Sequence, residues 1–154
     1  MQVKESLAVA FVNGTDGRLA PPRETGLEQL RDACRAVFAA HVEGRATTRE
    51  LAPLNRLIDQ HLAARYMLVA AQGRVGSARI STGADDATLA LSDICLAIVE
   101  LFASAKALRL KQCAHDACSR FFLDESKSGT RTWCSMKTCG NRVKAARYYE
   151  RTKN

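Results

Sequence analysis

The feature that most constrains this chain of 154 residues is the spacing of its last four cysteines. They form two pairs with four residues inside each pair and 15 residues between the pairs: Cys113 and Cys118, then Cys134 and Cys139. Tetrahedral Zn²⁺ takes sulfur ligands at about 2.3 Å, and two short-spaced pairs on separate turns can supply them without backbone strain. The spacing therefore predicts a structural Zn²⁺ site with these four cysteines as its ligands.

Disulfide bonds are the alternative use of the same cysteines. A reducing cytosol disfavours them, and the first residues of the chain contain too short an apolar stretch, and no cleavage site, for a secretory signal. We therefore expect a cytoplasmic protein. His115, between the first two cysteines, could replace one sulfur, but with four sulfurs at good spacing we interpret it as an exposed loop residue.

Positive charge is concentrated in the same part of the chain. The formal net charge is +7, and it divides into −1 for residues 1–105 and +8 for residues 106–154. Such asymmetry favours a polyanionic partner, of which nucleic acid is the commonest for a cytosolic protein. A basic tail that only aids solubility is the alternative.

The chain as a whole has the composition of a soluble globular protein, with 47% hydrophobic and 25% charged residues. Its longest apolar run, 87–103, contains Asp93 and Glu100, and both disfavour a membrane-spanning helix.

Local patterns in residues 1–105, here called the body, predict helices and one β-hairpin. Capping boxes start two of the helices, and an aspartate starts the next one. The segment 7–12 is apolar but of uncertain type. Cys34 and Cys95 fall on apolar helix faces and are interpreted as core residues. The predicted elements are a helix over 25–42 opened by Thr25 and Glu28, a helix opened by Thr47 and Glu50, strands 66–72 and 77–81 around a turn at 73–76, and a helix from Asp85 or Asp86.

Residues 106–154, here called the finger, are expected to form a knuckle, a hairpin and a helix that carries metal ligands. Strands are predicted near Leu108 and Leu110, at 121–123 and, after a turn at 126–130, at 131–133. Ser135 is the predicted N-cap of a helix from Met136 to about Arg151. The fold class is therefore α+β: a mostly helical body with one hairpin, followed by a treble-clef-like zinc finger.

Several motifs of the finger resemble the CGNR zinc finger family over about residues 107–151. The residues that carry the resemblance are Cys113-x4-Cys118, Phe121-Phe122-Leu123-Asp124, Arg131-x-Trp133-Cys134-Ser135-Met136 and Cys139-Gly140-Asn141-Arg142-x-Lys144. The body is similar to the ABATE domain that usually precedes this finger, through its opening segment Leu7-Ala8-Val9-Ala10-Phe11-Val12-Asn13. The resemblance implies a bacterial, stress-linked transcription regulator with a DNA-binding finger.

One face of the last helix is suited to DNA. Asn141, Lys144, Tyr148 and Arg151 repeat at three and four residues. Arg and Lys neutralise phosphates, while Asn and Arg can read base edges. The predicted DNA-contacting residues are Asn141, Arg142, Lys144, Arg147 and Arg151.

Structural roles remain open for the same helix. Asn141 could brace the carbonyls of the knuckle, and Arg142 could pair with Asp124. The cations could form an ordinary solvated face, and Tyr148 and Tyr149 could pack on the body.

Other function classes are weighed against a DNA-binding regulator. Zinc held by four sulfurs has no open position for water, and no glycine-rich phosphate loop or paired nucleophile and base is present, so an enzyme is not expected. The alternatives are a zinc-stabilised protein–protein interaction module and a small-ligand sensor. A homodimer and a small-molecule effector bound by the body are both compatible with the sequence.

Overall fold

Amphipathic helices form most of the body, and one further helix ends the finger. The computed structural model describes residues 2–14, 25–62, 65–71, 74–80 and 85–152. The helix over 25–42 and the helix from Asp86 were both predicted, and the apolar segment of uncertain type proves to be helical. The helices are α1 (Gln2–Asn13), α2 (Thr25–Val42), α3 (Thr48–His61), α4 (Asp86–Phe102) and α5 (Asn141–Thr152).

Carboxylates cap two of these helices where the sequence predicts them. Asp85 accepts the backbone N–H of Thr88 at 2.8 Å and so caps α4. Glu50 accepts the backbone N–H and the hydroxyl of Thr47, each at 2.9 Å, at the start of α3. These bonds satisfy donors that the first helical turn leaves without partners. The side chain of Thr25 lies outside the described residues.

In the described part of the chain, four strands form two small antiparallel sheets. They are β1 (Arg65–Ala71) paired with β2 (Arg74–Ile80), and β3 (Leu110–Gln112) paired with β4 (Phe121–Leu123). The hairpin of the body was predicted, but with a second strand that began only at Ser77. The ladder continues to the pair Ala71 and Arg74, so most of the predicted turn belongs to β2, and residues 72–73 lie outside the described part of the chain.

The hairpin predicted inside the finger has a different partner strand. The pairing of 121–123 with 131–133 is wrong, because β4 pairs with β3 and the first cysteine pair lies in the connection between them. Residues 131–133 form no strand; Thr132 contributes its carbonyl to the N–H of Ala114 at 3.0 Å. The hydrophobic pattern of a three-residue segment is too short to specify the strand with which it pairs.

The main hydrophobic core crosses from the body into the finger. Helix α1 packs against α2 and α4, and α3 packs against α2 and α4. The buried cluster also includes Leu110 of β3 and Phe121 of β4, which are 4% and 3% exposed. A 3₁₀ turn, Ala105–Arg109, leads from α4 into β3. Leu108, expected in a strand, lies in this turn and is 83% exposed.

The finger has a second, much smaller cluster of its own. Three buried residues form it, and Cys118, Trp133 and Cys134 pack against them; the three are Cys113, Phe122 and Cys139. A helical body with a hairpin, followed by a cysteine cluster and a helix, confirms the predicted α+β class. No helix within the described residues is both long enough and apolar enough to cross a membrane.

Candidate metal centre and nucleic-acid interface

The four cysteines of the finger converge on one point. Cys113 and Cys118 lie in the connection between β3 and β4, Cys134 precedes a π-helical turn over Met136–Gly140, and Cys139 lies in that turn. Their Sγ atoms all lie within 4.8 Å of one another. The backbone therefore brings together the set that the spacing predicts.

The separations of the sulfurs fit a tetrahedral metal ion. The Sγ of Cys134 is 3.8 Å from that of Cys118 and 3.7 Å from that of Cys139. Sulfurs bound to one Zn²⁺ at about 2.3 Å in tetrahedral geometry lie about 3.8 Å apart. The six cysteines of the chain are free thiols, so these four are available as ligands.

The thiols of the centre differ in their acidity. Burial raises the pKa of Cys113, but N–H donors from Cys134 and His115 outweigh burial and hold that pKa below its usual value. Burial and the neighbouring thiols raise the pKa of Cys134 to about 12. Four sulfurs at this distance can all be thiolates only with a cation among them, so the donor set suits a divalent ion.

The ring of His115 binds the backbone and not the metal centre. Its Nδ1 accepts the backbone N–H of Ala117 at 3.1 Å. The ring therefore stabilises the turn between Cys113 and Cys118, and it is not among the residues that converge on the centre.

Arg131 ties the second cysteine loop to the small core. Its guanidinium lies 4.7 Å from the ring centre of Phe122, its Nε donates to the carbonyl of Trp133 at 2.8 Å, and its Nη2 donates to the carbonyl of Cys134. Sequence reasoning assigned no such role to Arg131, because the chain must first fold for these groups to meet.

Asp124 organises the loop between β4 and the second cysteine pair. The residue is fully buried, and its Oδ2 accepts from the Nζ of Lys111 at 2.7 Å and from the N–H of Arg131 at 2.9 Å. Its Oδ1 accepts the N–H of Ser126 at 3.1 Å. The bond from Lys111, with those from Ser126 and Arg131, outweighs desolvation and holds the pKa of Asp124 far below its usual value. The suggested pair of Asp124 with Arg142 is therefore wrong: Lys111 is the cation.

Gly140 is needed where it stands, directly after the last cysteine. A Cβ at this position would lie 2.5 Å from the Sδ of Met136 and 3.3 Å from Cδ1 of Trp133. Met136 is 48% exposed and can move aside, whereas Trp133 packs on the cysteine cluster. A larger residue would therefore press on the wall of the centre.

The body holds the finger through polar contacts as well as through the shared core. The side chain of Asn13 makes two hydrogen bonds with the backbone of Phe121. Arg35 donates to the carbonyls of Val12 and Ser119, both at 2.9 Å, and its guanidinium lies 5.7 Å from the ring centre of Phe121. These contacts fix the orientation of β4 on α1 and α2.

Helix α5 carries every residue predicted to contact DNA. It has no buried residue, and its partner in packing is the π-helical turn. Tyr148 and Tyr149 are 60% and 65% exposed, so the suggestion that they pack on the body is wrong. The predicted residues Asn141, Arg142, Lys144, Arg147 and Arg151 are all exposed along this helix.

The polar groups of α5 have few intramolecular partners. Asn141 donates to the carbonyl of Lys137 at 3.3 Å, between the second pair of cysteines. Arg151 donates to the carbonyl of Arg147 within the helix. In the described part of the chain, the cations of Arg142, Lys144 and Arg147 form no ion pair.

The remaining two cysteines lie in the body, as expected. Cys34 and Cys95 are fully buried in the main core. Burial raises the pKa of Cys95 to about 11 and that of Cys34 further. Both are therefore neutral thiols that pack as small apolar groups.

Two family models match the chain, in the order that the resemblance implies. A model described as "Putative stress-induced transcription regulator", ABATE, matches residues 5–105. A model described as "CGNR zinc finger" matches residues 109–152, which contain the four converging cysteines and α5. A comparison with curated proteins finds no match.

Proposed function

Since the chain belongs to the ABATE family and continues into a CGNR zinc finger, we propose that it is a zinc-dependent DNA-binding protein of the bacterial cytoplasm. Its role is the regulation of transcription, and α5 is the element that contacts DNA. Neither matched family is a family of enzymes, which supports a binding role.

Zinc is the metal that the donor set favours. Four thiolates at tetrahedral separation bind Zn²⁺ without leaving a position for water, so the ion is structural. Two of the three buried residues in the finger's own cluster are cysteines of this centre. The ion therefore supplies most of the stability of the segment that carries α5.

The observation that carries the proposal is the charge on α5. Three other cations of the finger have partners inside the protein: Lys111 pairs with Asp124, Arg109 donates to the carbonyls of Asp124 and Ser126, and Arg131 braces the cysteine loop. Those of α5 are exposed on a helix that buries none of its residues. A projecting helix with unneutralised cations fits a groove lined by phosphates.

Salt dependence of DNA binding tests this proposal. If the four cations Arg142, Lys144, Arg147 and Arg151 contact phosphates, the logarithm of the binding constant falls with that of the salt concentration at a slope of about −3.6. Fluorescence anisotropy with a labelled duplex measures this slope, and zinc content is determined on the same sample. Failure to bind random or genomic DNA at low salt would rule the proposal out.

A pair of matched variants locates the contact on α5. Arg147→Gln is expected to reduce the slope by about 0.9. Arg56→Gln removes an arginine that is also exposed, on α3, and should leave the slope unchanged. Equal effects of the two substitutions would show that DNA binding depends on the net charge of the protein and not on the cations of α5.

A protein partner is the second candidate, and the tyrosines of α5 favour it. Tyr148 and Tyr149 contact each other edge to face at 6.0 Å and are largely exposed. Exposed tyrosines are enriched at protein interfaces. Loss of a captured partner in a Tyr148→Ala, Tyr149→Ala variant whose DNA binding is intact would support this candidate.

A further inference from the structure

A cleft lies in the body, away from the metal centre. Helices α2, α3 and α4 enclose about 310 Å³, and most of the wall is apolar: Val37, Leu54, Ile58, Ile98 and Phe102. Leu54 and Ile98 are 3% and 1% exposed, whereas Val99 at the margin is 42% exposed. The cleft therefore has a buried apolar floor and an open rim.

The volume of the cleft limits the size of the molecule that it can bind. An engineered apolar cavity of about 150 Å³ binds benzene, and ligand pockets of proteins begin at about 300 Å³. The cleft is about twice the volume that one benzene ring needs. A molecule with two fused rings fits it.

The polar groups of the cleft set the chemistry of an occupant. His41 and Asn55 are the polar residues of its lining, and none of the described lining residues is Asp, Glu, Lys or Arg. The Nε2 of His41 lies 2.9 Å from the carbonyl oxygen of Ala107. Because a carbonyl only accepts, Nε2 donates in this contact, and in the tautomer protonated only at Nε2 the Nδ1 atom is an acceptor. An uncharged ligand with an O–H or N–H donor matches this lining, since an ion would lose its hydration without gaining a counter-charge.

We propose that this cleft is a binding site for a small neutral aromatic molecule of about two fused rings that carries one hydrogen-bond donor, the chemistry of a naphthol or an indole. The site is independent of the proposed DNA contact. It is separate from the cysteines and from α5.

Contacts made by His41 and by Phe102 connect the wall of the cleft to the finger. His41 binds Ala107 in the 3₁₀ turn that leads into β3. Phe102 packs edge to face on Phe38 at 5.4 Å, and Phe38 packs in the same way on Phe121 of β4 at 5.5 Å. A ligand that orders His41 and Phe102 therefore also stabilises the two strands next to the first cysteine pair.

Isothermal titration calorimetry of the full, zinc-loaded protein with 2-naphthol tests the proposal. We expect saturable binding at one site. Val99→Phe should weaken it at least tenfold by filling the rim, whereas Val42→Phe, at a residue 36% exposed and outside the lining, should not change it. Naphthalene-2-sulfonate, which has the same rings and a negative charge, should bind at least tenfold more weakly than 2-naphthol.

Three outcomes would overturn the proposal. They are an absence of heat up to the solubility limit of 2-naphthol, equal affinities for the two valine variants, and equal affinities for the alcohol and the sulfonate. Thermal unfolding and zinc content of Val99→Phe establish that a loss of binding is not a loss of fold. Slower transfer of zinc to a competing chelator when 2-naphthol is bound, with this slowing absent in His41→Leu, would support the connection to the finger, and an unchanged transfer rate would exclude it.

Discussion

Asn13 and Phe121 are joined by two hydrogen bonds although 108 positions separate them in the chain. The side-chain Nδ2 of Asn13 donates to the carbonyl of Phe121 at 2.8 Å, and its Oδ1 accepts the N–H of Phe121 at 2.9 Å. The amide therefore pairs with β4 much as a neighbouring strand would. Through this contact the last residue of α1 positions the element that follows the first cysteine pair.

Loss of this amide should weaken the attachment of the finger. Asn13→Ala leaves the N–H and the carbonyl of Phe121 partly buried without their partner, which costs about 1–3 kcal/mol. Denaturant unfolding of the zinc-loaded protein measures the change in the free energy of unfolding. Asn55→Ala, at an exposed site on α3, is the matched control. A change of the same size in both variants would show that the contact contributes nothing specific.

Removal of the metal should unfold the finger and spare the body. Structural Zn²⁺ contributes about 10–16 kcal/mol to the stability of comparable small sites. The core shared by α1 to α4 contains none of the four cysteines of the metal centre. A strong chelator is expected to reduce the helical circular dichroism signal by the amount that α5 contributes. It should also make the residues after β4 susceptible to protease. An unchanged spectrum and cleavage pattern would contradict a structural metal.

Reactivity with a thiol reagent should divide the six cysteines into two classes. In the native, metal-loaded protein we expect Cys34 and Cys95 to be unreactive, because they are buried and their pKa values are raised. Chelation should release the four cysteines of the centre, and denaturant should add the remaining two. Reaction of Cys34 or Cys95 before unfolding would contradict the burial described above.

Alkaline pH should destabilise the body through its buried thiols. The folded-state pKa of Cys95 is raised to about 11, above about 8.5 for an unfolded thiol. Its contribution is therefore fully present below the unfolded pKa and is lost as the pH rises toward the folded one. Thermal unfolding from pH 8 upward should show this decline, and Cys95→Ala should reduce its slope. A slope identical in the variant would mean that other groups cause the decline.

The buried carboxylate of Asp124 should support the metal centre from a distance. Asp124→Asn keeps the shape of the side chain but removes its negative charge. That charge belongs to the carboxylate whose Oδ2 accepts from the Nζ of Lys111 and from the N–H of Arg131. Because Arg131 braces the carbonyl of Cys134, we expect zinc affinity to fall by about 10–100-fold, as for other supporting residues of metal sites. Competition with a calibrated chelator measures it. Glu125→Gln changes the exposed neighbour and should have no effect, so equal losses would contradict a specific role for Asp124.

Much of the site could be predicted from the chain because its determinants are local. The four cysteines need only two short spacings to be recognised as a set, and α3 and α4 begin at the capping residues that the sequence shows. The exposed cations of α5 follow from helical spacing in the same way. Each cysteine pair and each helix start is recognised from residues that lie within one or two turns of one another.

Only the tertiary structure decided which distant groups meet. It paired β4 with β3 rather than with 131–133, gave Lys111 rather than Arg142 to Asp124, and buried Leu110 and Phe121 in the core of the body. The physical reason is that a three-residue strand or a single carboxylate can pair with several groups. The folding of the whole chain decides which of these groups lies next to it. The sequence by itself determined which four cysteines converge and where α2, α3 and α4 begin, and the packing of α1 and α2 against β4 determined how the finger is held.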